Sequence, residues 1–425
     1  MLKIHNVNKI EGRVRVPGDK SISHRAVMLS SISKGTAKIR GFLPGDDCLN
    51  TIACFRELGI EIEDLGHEII VHGKGLNGLR EPQNFLDVGN SGTTIRLMSG
   101  ILAGQEFMTI ITGDGSIRKR PMDRIAVPLR KMGTTIMGRE DGSLAPLVIR
   151  GGNLAGIDYH SPVSSAQVKS AILLAGLYAD GQTIVREEIP SRNHTEKMLE
   201  SLGANIYTQD GKVTIEKSEL YAENIQVPGD ISSAAFLMVA AAAKPGSHLI
   251  IENVGLNPTR TGIIDVLKAM GADVEIDRLH KSGGEEIGDI IIKGGKLEGT
   301  NLTKEIIPRL VDEIPVIAII AAIAQGKTRI TDAEELRVKE SNRITSMVTE
   351  MKKLGIQVTE LEDGMEIEGN NKIQGGQVES YGDHRIAMAM AIAGTFAQTP
   401  LTIKNSQCIP ISFPGFFEML KKIAR

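Results

Sequence analysis

A repeated unit constrains this chain more than any other feature. A helix rich in small residues, a polar turn and a short β-branched strand recur six times along the 425 residues. The helices read at 26–33, 93–103, 166–179, 232–243, 314–324 and 386–396, and the strands that follow end at Ile39, Ile111, Val185, Ile251, Ile330 and Ile403. Turn glycines Gly35, Gly104, Gly181, Gly246 and Gly326 mark the first five copies at spacings of 69, 77, 65 and 80. A second element follows each copy, a polar loop (43–47, 114–121, 190–194, 256–261, 334–341, 409–414) leading into an amphipathic helix. These helices read at 49–58, 122–132, 195–202, 262–270, 343–354 and 415–423. The first five end at Gly59, Gly133, Gly203, Gly271 and Gly355, where a left-handed C′ residue is wanted, spaced 74, 70, 68 and 84 apart in the same register. Strands such as 60–63, 205–208 and 273–277 come next, and Glu140-Asp141-Gly142 and Asp210-Gly211 read as hairpin turns.

Each unit therefore holds two helices and about four short strands, which is α/β structure. A period of about 70 residues exceeds that of solenoids, so several units pack per globular domain, and the length calls for more than one core. The hairpin turns favour mixed sheets over a plain parallel βαβ sheet. The apolar runs 314–324 and 234–243 read as buried helices, short of the roughly 18 residues of a membrane span. The start, Met1 to Asn6, lacks the apolar core and cleavage site of a signal peptide. Cys48, Cys54 and Cys408 are too scattered for a disulfide frame or a zinc site and suit a reducing cytoplasm. A net charge of −3, 3% aromatic residues and no Trp argue against a nucleic-acid partner. No GxxxxGK[ST] stretch points to nucleoside triphosphates.

Polar chemistry concentrates in the loops. Val16-Pro-Gly-Asp-Lys-Ser-Ile-Ser-His-Arg25 puts a turn at Pro17-Gly18 and a cap at Asp19 or Ser21 before a helix. That start gathers backbone N–H groups, Lys20, Ser21 and, a turn on, Arg25, where an anion such as phosphate binds well. The plain alternative is a capped helix with solvated cations. Asp87-Val-Gly-Asn-Ser-Gly-Thr-Thr-Ile-Arg96 allows close backbone approach at Gly89 and Gly92, with Thr93-Thr94 as possible caps. Arg118-Lys-Arg120 precedes Pro121, and is either a solvated charge run or part of the same pocket. Ser164-Ser-Ala-Gln-Val-Lys169, with Ser165 and Gln167, repeats hydroxyls and an amide at a helix start, and Ser191-Arg192-Asn-His194 adds another cation.

Asp312-Glu313 precedes a wholly apolar helix, as dipole partners or as a general base. In Arg337-Val-Lys-Glu-Ser-Asn-Arg343, Lys339 and Arg343 stand at i,i+4, hence on one helix face beside Glu340. Such a cation pair repels unless an anion neutralises it. Asp383-His-Arg385 opens the last apolar helix. Cations at so many loop ends call for small substrates with several negative charges.

PGDKSISHR, GNSGTTIR, RKRPM, SSAQVKSAILLAGL, SRNHTEKML, VPGDISSAAF, LNPTRTG, RVKESNR and GDHR, in this order, resemble the 5-enolpyruvylshikimate-3-phosphate synthase family over the whole chain, in its class II branch. The resemblance implies an enolpyruvyl transferase-like fold, two globular domains of three βαβαββ units each. One would be discontinuous, 1–18 plus 229–425, with 19–228 inserted. It implies transfer of the enolpyruvyl group of phosphoenolpyruvate to the 5-hydroxyl of shikimate 3-phosphate without metal or cofactor. Carried over by motif, Lys20 would touch both substrates; Ser21, Arg25, Ser165, Gln167, Arg192, Asp312 and Lys339 would serve shikimate 3-phosphate. Gly92, Arg120, Gln167, Arg343 and Arg385 would serve phosphoenolpyruvate. Asp312 would be the base at the 5-hydroxyl, Glu340 the acid at C3, and Lys20 would join them as a catalytic residue. A cytoplasmic monomer is expected, with no nucleic-acid or membrane partner.

The chain departs from the family at Ile411, where some members carry a Lys. Tolerance of glyphosate is common in the class II branch, whereas tolerant members often have Ala where Gly92 stands; without that methyl the inhibitor has room here, and the two signals oppose each other. Two related activities are alternatives: a UDP-N-acetylglucosamine enolpyruvyl transferase, whose reactive Cys would fall at Gly115, and an RNA 3′-phosphate cyclase, which would need ATP and a basic RNA surface. A third is a phosphate-binding scaffold without activity.

Overall fold

The glycine-punctuated segments fold as helix–turn–strand copies in a computed structural model that describes residues 2–425. The six small-residue helices are α1 (Lys20–Ser31), α2 (Gly92–Ala103), α3 (Ala166–Gly176), α4 (Ile231–Ala242), α5 (Ile314–Ile323) and α6 (His384–Gly394). They lie largely inside, and α4 and α5 are apolar nearly all round: every residue of α4 is buried. The amphipathic set forms at Asp46–Glu57, Asp123–Lys131, His194–Ser201, Gly262–Ala269, Arg343–Lys353 and Phe416–Ile423. Gly59, Gly133, Gly203, Gly271 and Gly355 all take positive φ after the first five of these, as the left-handed C′ position requires. Asp210 and Gly211 have φ of 51° and 72°, closing the two-residue hairpin between Ile206–Gln209 and Lys212–Ile215.

Contacts divide the chain into two compact units. One holds the chain up to Pro17 with Pro228–His280 and Glu286–Arg425; the other holds Gly18–Val227 and Lys281–Glu285. Lys281–Glu285, which the sequence alone leaves with 229–425, thus groups with the second unit. Six small sheets serve the six copies, five of four strands and one of three. In the four-stranded sheets the strand after the buried helix pairs parallel on one side and antiparallel on the other, so the sheets are mixed. Two parallel partners are exchanged. Glu11–Val14, which precedes α1 in sequence, pairs with His248–Gly255 after α4. Ile225–Gln226, which precedes α4, pairs with the strand Lys34–Arg40 after α1. Two equivalent turns, Val16-Pro-Gly-Asp19 and Val227-Pro-Gly-Asp230, carry this exchange.

Each unit has its own apolar core around its three buried helices. In the second unit α2 packs on α3 so closely that a Cβ on Gly100 would stand 2.2 Å from the Ala171 carbonyl oxygen. A polar thread crosses the same core: His24 Nδ1 lies 2.7 Å from Thr51 Oγ1, which lies 2.8 Å from Thr94 Oγ1. Burial, helped by the charge of Lys20, pushes the His24 imidazole from its ordinary 6.5 to about 3. Folded His24 therefore stays neutral where the unfolded chain takes up a proton, so its contribution is complete above pH 6.5 and lost as pH falls. Between pH 7 and 5 this group alone should remove about 2 kcal/mol of stability. Urea unfolding of the wild type and His24→Gln at both pH values checks this: the loss on acidification should be smaller in the variant, and equal losses would refute the assignment.

Candidate active site

In the second unit the candidate side chains sit at or near helix starts, as their sequence positions dictate. Asp19 caps α1 by accepting from the Ile22 amide at 2.8 Å, which leaves Lys20 as its first residue, with Ser21 next. Lys20 forms an ion pair with Asp47 of the helix Asp46–Glu57. Arg25, one turn on, is 4% exposed. Its Nε donates to Thr195 Oγ1 at 2.6 Å, one terminal nitrogen donates to Ser170 Oγ at 2.9 Å and the other to the Ser21 carbonyl at 3.0 Å. Burial lowers this guanidinium to about 10, opposed by Glu196 and other carboxylates, so it remains charged at neutral pH.

Gly92 opens α2. A Cβ there would lie 3.1 Å from guanidinium nitrogens of both Arg120 and Arg96, so two cations flank the space that the missing side chain leaves. Arg120 donates to Asn90 Oδ1 at 2.8 Å, while its buried Nε finds no acceptor among the described residues. Arg96 donates to Gln167 Oε1 at 2.6 Å and to the Pro121 carbonyl at 3.1 Å, and Gln167 Nε2 donates to Thr93 Oγ1 at 3.1 Å. An unsatisfied buried N–H, a second guanidinium and the N-terminus of α2 all favour negative charge at this point. Ser165 is the N-cap of α3, and Arg192 lies in the loop before His194–Ser201.

In the first unit Arg343 is the hub. Its side chain is 1% exposed, and Nε donates to Asp383 Oδ2 at 2.8 Å. One terminal nitrogen donates to Asp312 Oδ1 at 3.2 Å, the other to Glu340 Oε2 at 2.6 Å. Burial opposes the charge, but Asp383, Glu340 and Asp312 outweigh it and hold Arg343 above its ordinary range. Burial likewise opposes ionisation of Asp383, yet Arg343 draws that carboxyl below its usual value. Glu313 is fully buried and accepts from Ser232 Oγ, with an Arg385 nitrogen 3.9 Å away. The two acids that the sequence left alike are thus separated: Glu313 is internal, and Asp312, with a 17% exposed side chain, faces Arg343.

Three readings need correction. Ser91, not Thr93 or Thr94, caps α2, accepting from the Thr94 amide at 3.1 Å. Lys339 and Arg343 do not share a helix face, because Lys339 is extended and the helix starts only at Arg343, capped by Asn342. The two cations do not repel one another across a helix face: Lys339 pairs with Glu335 at 2.6 Å, and three carboxylates neutralise Arg343. Ile411 packs against the apolar core. The sequence reading also missed Arg96, although a position four residues after Gly92 on a helix shares its face. Asp47 carried no local signal, and nothing local paired Asp383, legible only as the residue that opens α6, with Arg343.

A paired set of α/β units, each ending its loops in buried or half-buried cations, defines an enzyme for small, multiply anionic substrates. A family model described as EPSP synthase (3-phosphoshikimate 1-carboxyvinyltransferase) matches residues 4–420. The chain is 72% identical to the 3-phosphoshikimate 1-carboxyvinyltransferase of Alkaliphilus metalliredigens, with 100% of both chains covered. It is 54% identical to that of Desulforamulus reducens over 99% of each. The solved EPSP synthase of Acinetobacter baumannii superposes with a TM-score of 0.91 at 46% identity, covering 99% of this chain and 98% of the other. The chain belongs to the EPSP synthase family.

Removing a partner from a buried ion pair strands the other charge, at a cost of about 3 kcal/mol. Asp383→Asn should therefore lower stability by about that much in urea unfolding at neutral pH. A loss below about 1 kcal/mol would mean that Asp312 and Glu340 suffice to hold Arg343.

Proposed function

We propose that these helix-start clusters carry out the family's carboxyvinyl transfer, with the roles below. The chain transfers the enolpyruvyl group of phosphoenolpyruvate to the 5-hydroxyl of shikimate 3-phosphate, giving 5-enolpyruvylshikimate 3-phosphate and phosphate, a step of chorismate and aromatic amino-acid biosynthesis. Both substrates carry a phosphate and a carboxylate, which is the chemistry that arginine forks and helix N-termini recognise. Lys20 serves both substrates. Ser21, Arg25, Ser165, Gln167, Arg192 and Lys339 hold shikimate 3-phosphate. Gly92, Arg120, Arg343 and Arg385 hold phosphoenolpyruvate, with Gln167 alongside.

Glu340, which takes up a proton once an anion has displaced it from Arg343, delivers that proton to C3 of phosphoenolpyruvate, C2 becomes electrophilic, and the 5-oxygen attacks it while Asp312 takes the hydroxyl proton. The tetrahedral adduct still bears the phosphate on C2. A C3 proton then returns to Glu340, the C2–C3 double bond re-forms and the phosphate leaves as hydrogen phosphate, taking up the proton held on Asp312, its remaining charge met by the flanking cations. One observation supports this assignment above the others: a single buried guanidinium holds both Asp312 and Glu340, at 3.2 and 2.6 Å. An anion arriving at Arg343 displaces the two accessible carboxylates rather than buried Asp383, and so releases acid and base as it binds.

We further propose a cytoplasmic monomer, in keeping with three cysteines that are all free and buried. Light scattering on the purified chain checks the mass. Gly92 leaves glyphosate room beside Arg120, so inhibition competitive with phosphoenolpyruvate is expected.

Two variants test the roles. Asp312→Ala should lower kcat by about a hundredfold or more with both KM values within about threefold. A rise in KM with kcat retained would make Asp312 a binding group. Gly92→Ala puts a methyl against two guanidiniums, so KM for phosphoenolpyruvate should rise by about tenfold with that for shikimate 3-phosphate little changed. The opposite pattern would move phosphoenolpyruvate away from Gly92.

A further inference from the structure

We infer that Glu187, neutralised by Lys169, is a positioning residue that sets the shikimate 3-phosphate subsite and with it the preference for a phosphorylated substrate. This rests on the reading that Ser165 and Arg192 serve that substrate. Glu187 stands just beyond the strand Thr183–Arg186, and its side chain is 4% exposed. One carboxylate oxygen accepts from the Ser165 amide at 3.1 Å. The other accepts from the amide and the hydroxyl of Ser191, at 2.9 and 2.8 Å. A single buried carboxylate therefore ties the residue that caps α3 to the loop that carries Arg192.

A bare carboxylate beside a phosphate subsite would repel the phosphate. Lys169 removes that penalty: its Nζ, on a side chain 4% exposed, lies 3.0 Å from Glu187 and 2.8 Å from Glu196, and donates to the Ser191 carbonyl at 3.2 Å. The neighbours continue the network. Ser170, next to Lys169, and Thr195, next to Glu196, share a 2.6 Å hydrogen bond and both accept from Arg25. Two buried cations, Lys169 and Arg25, thus balance two buried carboxylates, Glu187 and Glu196. Buried ion networks of this kind stabilise folds poorly compared with apolar packing, whereas they fix geometry well. Every contact of Glu187 named here goes to a residue at or beside a proposed ligand of shikimate 3-phosphate, or to the lysine that neutralises it.

The test is Glu187→Gln in the full-length enzyme. The amide offers one acceptor where the carboxylate has two, and its NH2 faces the donors of one loop, so one of the two loops is released. KM for shikimate 3-phosphate should rise by about tenfold, while kcat and KM for phosphoenolpyruvate stay within about threefold. Calorimetric affinities for shikimate 3-phosphate and for shikimate itself should converge by a similar factor, because only the former has the phosphate. A merely structural role would weaken both ligands equally, and that result would overturn the inference. Should Glu187→Gln not fold, Glu187→Asp keeps the charge but is too short to span both loops, and the same shift is expected. Arg192→Ala separates the two failures. If it raises KM for shikimate 3-phosphate and the Glu187 variants do not, Glu187 has no positioning role. If it too leaves KM unchanged, the assignment of this loop to the substrate fails, and the inference with it.

Discussion

Arg343 is 1% exposed, and a charge so buried persists only where its desolvation is offset by carboxylates in hydrogen-bonding geometry. Asp383 supplies the permanent offset from within the protein, while Asp312 and Glu340 supply one that a substrate anion can replace. The chemistry depends on that asymmetry. A guanidinium held by Asp383 keeps its orientation when the other two acids let go, so binding charge and releasing acid and base become one event.

The same arrangement recurs at other helix starts. Lys20 faces Asp47, Lys169 faces Glu187 and Glu196, and Arg260, 2% exposed, donates to Asp230 at 3.1 Å and to Ser232 at 2.8 Å. In each case an acid from a different segment fixes a cation near the start of a buried helix. The two Val-Pro-Gly-Asp turns explain how such starts are generated in both units. Each turn caps a buried helix with its aspartate, Asp19 on α1 and Asp230 on α4, while the strands before them are exchanged between sheets.

Much of this architecture is local and was therefore legible in the sequence. The six copies, the left-handed glycines after five helices and the Asp210-Gly211 hairpin depend on residues within a few positions of one another. Arg96 was legible too, by its spacing from Gly92, but went unread. Lys339 and Arg343 were misread because i,i+4 neighbours face each other only inside a helix, and Asn342 caps this one too late. What the sequence could not show is pairing across long separations. Arg343 and Asp383 lie 40 residues apart, and His194 meets Glu285 across 91, the contact that goes with Lys281–Glu285 joining the second unit. Such partners follow from packing, which no periodicity encodes.

Cations and carboxylates of this chain suffice, in the proposed chemistry, for a phosphate-releasing transfer between two anionic substrates. Its most direct test is to follow inorganic phosphate from purified protein in chelator-treated buffer with phosphoenolpyruvate and either shikimate 3-phosphate or UDP-N-acetylglucosamine. Phosphate should appear with shikimate 3-phosphate, in equal amount to the enolpyruvyl product, and not with the nucleotide sugar. Phosphate with the nucleotide sugar alone, or activity only after a metal is restored, would contradict it.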